Sequence, residues 1–314
     1  MLRNYYSTEP VSDLLSDPET LVVLRYDVPC MAGVMGSIGT GLECLGDVGI
    51  HEVWAMRNVR VSRGAHGRCQ WSKCDEFVIA AIWLSDKECD NVVSSVKSGY
   101  RELLDLTAKL GYPYAFRFWN FIADINSGVH DEERYKQFCT GRLNAFWERE
   151  VDMEGFPAAS AVGHCQQGAL IYLFAARQPA TNYQNARQVN AYEYPRQYGV
   201  SSPSFARASS ICLGGNASYF VSGTASIVGH ESSFIGDLQG QLQTTLENLK
   251  YMLAQPTERE TLELQTMKVY LRSENDYGDV EQVLKHAFPD TPTLYLRADI
   301  CRSELLIEIE CYCR

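Results

Sequence analysis

The sequence predicts an α+β fold made of two subdomains, and three observations carry that prediction. Short β-rich runs alternate with glycine-bearing turns and one long helix over residues 21–114. A similar order of elements returns in the second half of the chain. The stretch 126–155 between them holds no low-complexity segment or flexible linker, so the subdomains are placed at 1–126 and 127–314.

The first strands are 21–24 and 77–83, both rich in aliphatic and β-branched residues. A helix follows over 90–110, with apolar positions at Val92, Val93, Val96, Leu103, Leu104, Leu106 and Leu110, and Gly111-Tyr112-Pro113 stops it. Residues 116–125 form an aromatic strand. Asp131-Glu132-Glu133 then opens a helix carrying Tyr135, Phe138, Leu143, Phe146 and Trp147, where acidic residues suit the N-terminal dipole. Further strands are predicted at 158–162, 169–176, 189–194, 219–221 and 267–271, with helices over 238–253 and 280–287. The last two strands, 294–301 and 305–311, read as a hairpin turning at Arg302-Ser303-Glu304. Gly36-Ser37-Ile38-Gly39-Thr40-Gly41 lacks the strand–helix context of a dinucleotide loop and reads as a turn.

The composition, 46% hydrophobic and 21% charged over 314 residues, is that of a globular chain with a substantial core. A net charge of −11 argues against nucleic acid or an anionic membrane as partner, though a locally basic pocket could still take a small anion. No apolar export segment follows Met1-Leu2-Arg3, and the longest apolar runs are too short to cross a bilayer. Eleven scattered cysteines fit reduced thiols in the cytoplasm. His66, Cys69, Cys74, Cys311 and Cys313 lack the spacing of a metal site, so no metal is expected.

The run Leu305-Leu306-Ile307-Glu308-Ile309-Glu310 puts Leu306, Glu308 and Glu310 on one strand face, with Ile307 and Ile309 on the other. A carboxyl among aliphatic side chains resists ionisation, which makes it a candidate general acid. The same pattern also fits two glutamates facing water. The Tyr- and Arg-dense loop 187–207 suits a dicarboxylate ligand, or an ordinary aromatic surface loop. Ser226 in Ser222-Gly223-Thr224-Ala225-Ser226 lacks a nucleophile elbow, and His230 reads as a structural histidine.

Several stretches, taken together and in order, resemble the chorismatase family. They are Phe118-Trp119-Asn120-Phe121-Ile122-Ala123-Asp124-Ile125-Asn126, Glu133-Arg134-Tyr135-Lys136-Gln137-Phe138-Cys139-Thr140-Gly141-Arg142, Pro157-Ala158-Ala159-Ser160-Ala161-Val162-Gly163, the 187–207 loop, the segment 220–231, and Ala298-Asp299-Ile300-Cys301-Arg302 running into Glu308. They span roughly the last two-thirds of the chain, and the remainder matches less clearly. The resemblance implies two YjgF/RidA-like subdomains, with mixed β-sheets and helices packed on one face. It implies an enzyme that cleaves the enolpyruvyl ether of chorismate, releasing pyruvate without pterin, metal or other cofactor.

In the family the acid is a glutamate on the final strand, which maps onto Glu308. Members that form 3-hydroxybenzoate resemble this chain at Cys301 and Gly223, so that product is expected. Arg142, Arg207 and Tyr198 are the candidate substrate-carboxylate ligands, with Arg272 and Arg297 added on strand face and charge. The same-family alternative is hydrolysis to a dihydroxycyclohexadiene carboxylate. From another class, the alternative is a RidA-like imine deaminase or a non-catalytic ligand-binding module. A homotrimer with sites between subunits and a monomer whose subdomains mimic it are both compatible with the fold. Asn185-Ala186 and the terminal Cys311-Tyr312-Cys313 depart from the family pattern.

Overall fold

The computed structural model describes residues 1–30, 34–164, 166–255 and 262–314. Its main body is a pair of sheets. In the first half the chain runs β1 (Ser62–His66), β2 (Cys69–Lys73), β3 (Phe77–Leu84), α1 (Val92–Lys109), β4 (Tyr114–Ala123), α2 (Arg134–Trp147), β5 (Ala158–His164) and β6 (Ala169–Ala176). In the second half it runs β7 (Thr181–Tyr183), β8 (Ala208–Leu213), β9 (Asn216–Ala225), α3 (Leu238–Leu253), β10 (Leu264–Leu271), α4 (Tyr277–Ala287), β11 (Thr293–Arg297) and β12 (Ile307–Cys313).

The two sheets have one topology. Strand order is β1-β2-β3-β6-β4-β5 in the first and β7-β8-β9-β12-β10-β11 in the second. In each, one pair is parallel, β4 with β5 and β10 with β11, because a helix carries the chain back over the sheet. A two-residue strand completes each edge: Asp299–Ile300 on β5 and Glu43–Cys44 on β11. The predicted α+β architecture of mixed sheets with helices on one face is therefore observed. Strands from both sides of residue 126 share the first sheet.

Alternation along the strands builds three layers of core. The outer faces bury Ile82, Phe118 and Ile171 under α1 and α2, and Val269, Ile307 and Ile309 under α3 and α4. The inner faces meet each other through Trp119, Tyr172 and Phe174 on one side and Phe220, Tyr270 and Tyr312 on the other. A four-stranded N-terminal sheet (Leu2–Ser7, Thr20–Arg25, Ser37–Gly39 and His51–Met56) joins this central core. Its Trp54 contacts rings from both sheets, Phe174 at 5.1 Å and Tyr312 at 5.0 Å between centroids. Among the described residues no helix is long and apolar enough to cross a membrane. The described cysteines form no disulfide with one another; Cys165 lies outside the described residues.

Three local expectations are corrected. The last two strands do not form a hairpin, because β10 lies between β11 and β12. The chain leaves β11 at Ala298, pairs Ile300 with Val162 on the first sheet, and turns back into β12. That stitch between the sheets carries Cys301 and Arg302. Residues 189–194 are not a strand but a loop with a single turn, Ala191–Glu193, held by Val189 donating to the Gly229 carbonyl. Within the glycine-rich run, Ser37–Gly39 pairs in parallel with Thr20–Arg25, so it is strand rather than turn.

Candidate functional site

Glu308 and Glu310 lie on the inner face of β12, as the alternation requires, and neither faces water: they are 4% and 3% exposed. Their environments are opposite. Glu310 is saturated with donors. Arg117 on β4 reaches Oε2 at 2.7 Å, Trp119 Nε1 reaches Oε1 at 2.8 Å, and Lys268 on β10 reaches Oε1 at 2.7 Å. The Ser160 hydroxyl donates to it as well. Burial opposes its ionisation, but the Lys268 and Arg117 charges overcome that and hold its carboxyl down at about 2. Glu308, among the described residues, receives no hydrogen bond or ion pair. Burial first, and the Glu310 charge second, push it up to about 8 against the weaker pull of Arg117 and Arg207. Two carboxyls on one strand thus take opposite protonation states at neutral pH.

Glu308 borders a cavity of about 230 Å³ between the two sheets. It opens because β9 bulges against β12: the register shifts by one residue between Val221 and Thr224. Gly223 sits in this bulge, and a Cβ there would stand 1.9 Å from Glu308 Oε1. Only glycine leaves the carboxyl where it is. The Gly223 N–H donates to Ser160 Oγ at 2.9 Å, which ties the bulge to the first sheet.

Three buried arginines face the cavity from different elements. Arg142 comes from α2, packed 5.0 Å over the Phe138 ring one helical turn earlier. Arg207 precedes β8, rests on Phe205 and donates to the Tyr194 hydroxyl at 2.8 Å. Arg302 lies in the stitch, 3.9 Å over the Tyr198 ring, and is held by the His230 carbonyl and Ser232. Among the described residues each keeps a buried guanidinium nitrogen without a partner: Arg142 Nε, Arg207 Nε and Arg302 Nη2. Buried cationic donors left unpaired are costly, and carboxylates are the acceptors that fit them. Cys301 also lines the cavity, and burial beside Glu308 pushes its thiol up to about 12, so it stays protonated.

Of the expected site residues, Glu308, Cys301, Arg142, Tyr198, Arg207 and Gly223 all line this cavity. The Tyr198 hydroxyl shares a 3.2 Å hydrogen bond with His230 Nδ1, and its ring carries Arg302. Arg272 and Arg297 do not line it. Arg272 is committed to the stitch, donating to the Leu305, Ile300 and Arg302 carbonyls and pairing with Asp299 at 2.5 Å. Arg297 is exposed at the sheet edge and pairs with Glu43 at 3.3 Å. Ser226 donates to the Ser233 carbonyl as a structural group. Sequence reasoning passed over Arg302, Tyr194, Ser160, Arg117 and Lys268. Arg117, flanked by Phe116 and Phe118, and Lys268, inside a buried strand, did carry a signal: a lone charge in an apolar strand must have a buried partner.

Comparison with known proteins points to one family. Residues 52–175 match the family model described as chorismatase FkbO/Hyg5-like, N-terminal. A 3-hydroxybenzoate synthase of Streptomyces hygroscopicus is 38% identical over 231 residues, covering 69% of this chain and 68% of that protein. A chorismatase of Streptomyces rapamycinicus is 31% identical over 277 residues, covering 84% of this chain and 82% of the relative. Among solved structures, a crystal structure of chorismatase superposes with a TM-score of 0.87 at 26% identity, covering 100% of this chain and 98% of the other.

Proposed function

This chain belongs to the chorismatase family, and from that premise we propose that it cleaves the enolpyruvyl ether of chorismate to pyruvate and 3-hydroxybenzoate, with Glu308 as general acid. It is an enzyme that processes chorismate. The observation that carries the finer reading is one carboxyl, uncharged and unpaired, facing a cavity in which three arginines have donors to spare. Chorismate brings two carboxylates and an electron-rich methylene carbon, which need cationic donors and a proton respectively.

Arg142, Arg207 and Arg302 bind the carboxylates and fix the enolpyruvyl group against Glu308. Glu308 gives its proton to the methylene carbon, leaving an oxocarbenium-like centre, and the resulting carboxylate is offset by Arg117 and Arg207. The ether bond to the ring then breaks with its electron pair leaving on pyruvate. The neighbouring ring hydroxyl oxygen bonds to the vacated carbon, and loss of one ring proton to the Glu308 carboxylate gives the aromatic acid. Conversion of chorismate to 3-hydroxybenzoate and pyruvate balances without water, whereas the diene diol requires one water molecule. Cys301, a neutral thiol, acts here as part of the cavity wall that favours the intramolecular route, and Gly223 leaves room for it.

Chromatography of a chorismate reaction mixture tests the reading. Pyruvate with an aromatic acid is expected. Pyruvate with a diene diol would assign the hydrolase reaction, and absence of pyruvate would return the chain to a binding module or an imine deaminase. Cys301→Ala is expected to move product toward the diol while pyruvate release continues; an unchanged ratio removes the thiol from the account.

A further inference from the structure

Behind the cavity, Glu310 belongs to a buried row of alternating charge that spans all three sheets. Arg117 comes from β4, Glu310 from β12, Lys268 from β10, and Glu52 from the N-terminal strand His51–Met56. The links are 2.7 Å from Arg117 to Glu310, 2.7 Å from Lys268 to Glu310 and 3.0 Å from Lys268 to Glu52. None of the four is more than 5% exposed. The far end is closed by Tyr26, whose hydroxyl donates to Glu52 at 2.7 Å, and by the Asn4 amide at 3.0 Å. The row contains two cations and two anions, so it is electrically complete without Glu308.

Stability does not explain such a row, since well-packed apolar residues in place of buried ion pairs are often neutral or stabilising. Its consequence for Glu308 does. The groups facing Glu308 are Glu310 on its own strand, Tyr270 beside it on β10, Arg117 and Ser160 from β4 and β5, Arg207 ahead of β8, and Cys301. While Lys268 is matched by Glu52 and Arg117 by Glu310, the protein behind the cavity offers Glu308 no spare cation. We infer that Glu52 and Lys268, neither of which lines the cavity, are positioning residues for the reaction: they keep the row neutral, and so keep Glu308 in its acid form.

The inference rests on Glu308 being the acid, and its test separates the two ideas. Glu52→Gln keeps shape and hydrogen bonding but leaves Lys268 a surplus positive charge. One uncompensated charge at roughly 10 Å and an effective dielectric of about 20 is worth about one pH unit. The alkaline limb of kcat/KM should therefore move down by about that amount. The pH titration of the Glu308 carboxyl in ligand-free protein should move with it, followed by infrared difference spectroscopy against Glu308→Gln.

Glu52→Gln with Lys268→Met restores neutrality, and both readouts should return close to those of the unsubstituted protein. An unmoved limb and an unmoved titration in folded Glu52→Gln would overturn the inference. So would a displaced limb in the double variant, which decides the matter should the single variant not fold. If Glu308→Gln retains turnover, the reading of Glu308 as acid fails, and the infrared titration still judges the row.

Discussion

The two sheets share strand order, parallel pair and crossover helices, yet the strand that sits between β3 and β4 in the first has a different chemistry from its counterpart in the second. β6 reads Ala-Leu-Ile-Tyr-Leu-Phe-Ala-Ala, buried throughout, and turns Leu170, Tyr172 and Phe174 to the inner face. β12 reads Ile-Glu-Ile-Glu-Cys-Tyr-Cys, equally buried, and turns Glu308, Glu310 and Tyr312 inward. The outer faces are alike in kind, aliphatic under helices. One architecture therefore serves as plain core in one copy and as a wall of the cavity in the other. The difference is confined to the positions where the inner face can hold ionisable groups. What the first sheet contributes to the site is accordingly not an acid but supports: Arg117 and Ser160, which hold Glu310, and Arg142 on α2.

The sharpest way to break this contrast is to remove the ionisable group of Glu308. Glu308→Gln should lower the rate of pyruvate release about 10²- to 10⁴-fold, the usual worth of a positioned acid, while calorimetry still detects substrate binding. Full turnover in that variant would make the two inner faces functionally equivalent. Next in size is the reverse transplant. Leu170→Glu places a carboxyl among the apolar side chains of the first sheet's inner face, and should destabilise the fold by about 3–5 kcal/mol in urea unfolding. A loss below about 1 kcal/mol would mean that either sheet tolerates an inward carboxyl.

The smallest effect is graded with pH. In its proposed role Glu308, raised from an ordinary 4.5 to about 8, donates only while protonated, so kcat/KM should hold up to about pH 8 and then fall tenfold per unit above it. The same shift has a stability consequence. The folded state holds this proton more tightly than the unfolded chain, so the contribution is complete below about pH 4.5 and is lost as pH rises through about 8. Glu310 runs the other way: its contribution is present above about 4.5 and is lost as pH falls through about 2. Thermal melts across the range should show Glu308→Gln flattening the alkaline decline and leaving the acid one.

How much of this was legible beforehand depends on whether the information is local. Helix α3 begins and ends where apolar spacing placed it, with Asp237 capping its first turn, because such periodicity needs only neighbours in sequence. The same is true of β6 and of the inward pairing of Glu308 with Glu310, since a strand alternates whatever it is packed against. The family resemblance added Cys301, Gly223 and Arg207, which periodicity alone could not rank.

What tertiary structure decided was everything that depends on partners distant in the chain. The final hairpin failed because a crossover helix sets β10 between β11 and β12, a matter of sheet order that local turn residues do not encode. Arg272 and Arg297 carry the same charge as Arg207, but carbonyls of the stitch and Glu43 occupy them, whereas Arg207 meets the cavity. Most of all, two glutamates separated by one residue are indistinguishable in sequence. Only the arrival of Arg117, Trp119, Lys268 and Ser160 from three other strands ionises one and leaves the other its proton, because electrostatic energy depends on distance through space and on burial.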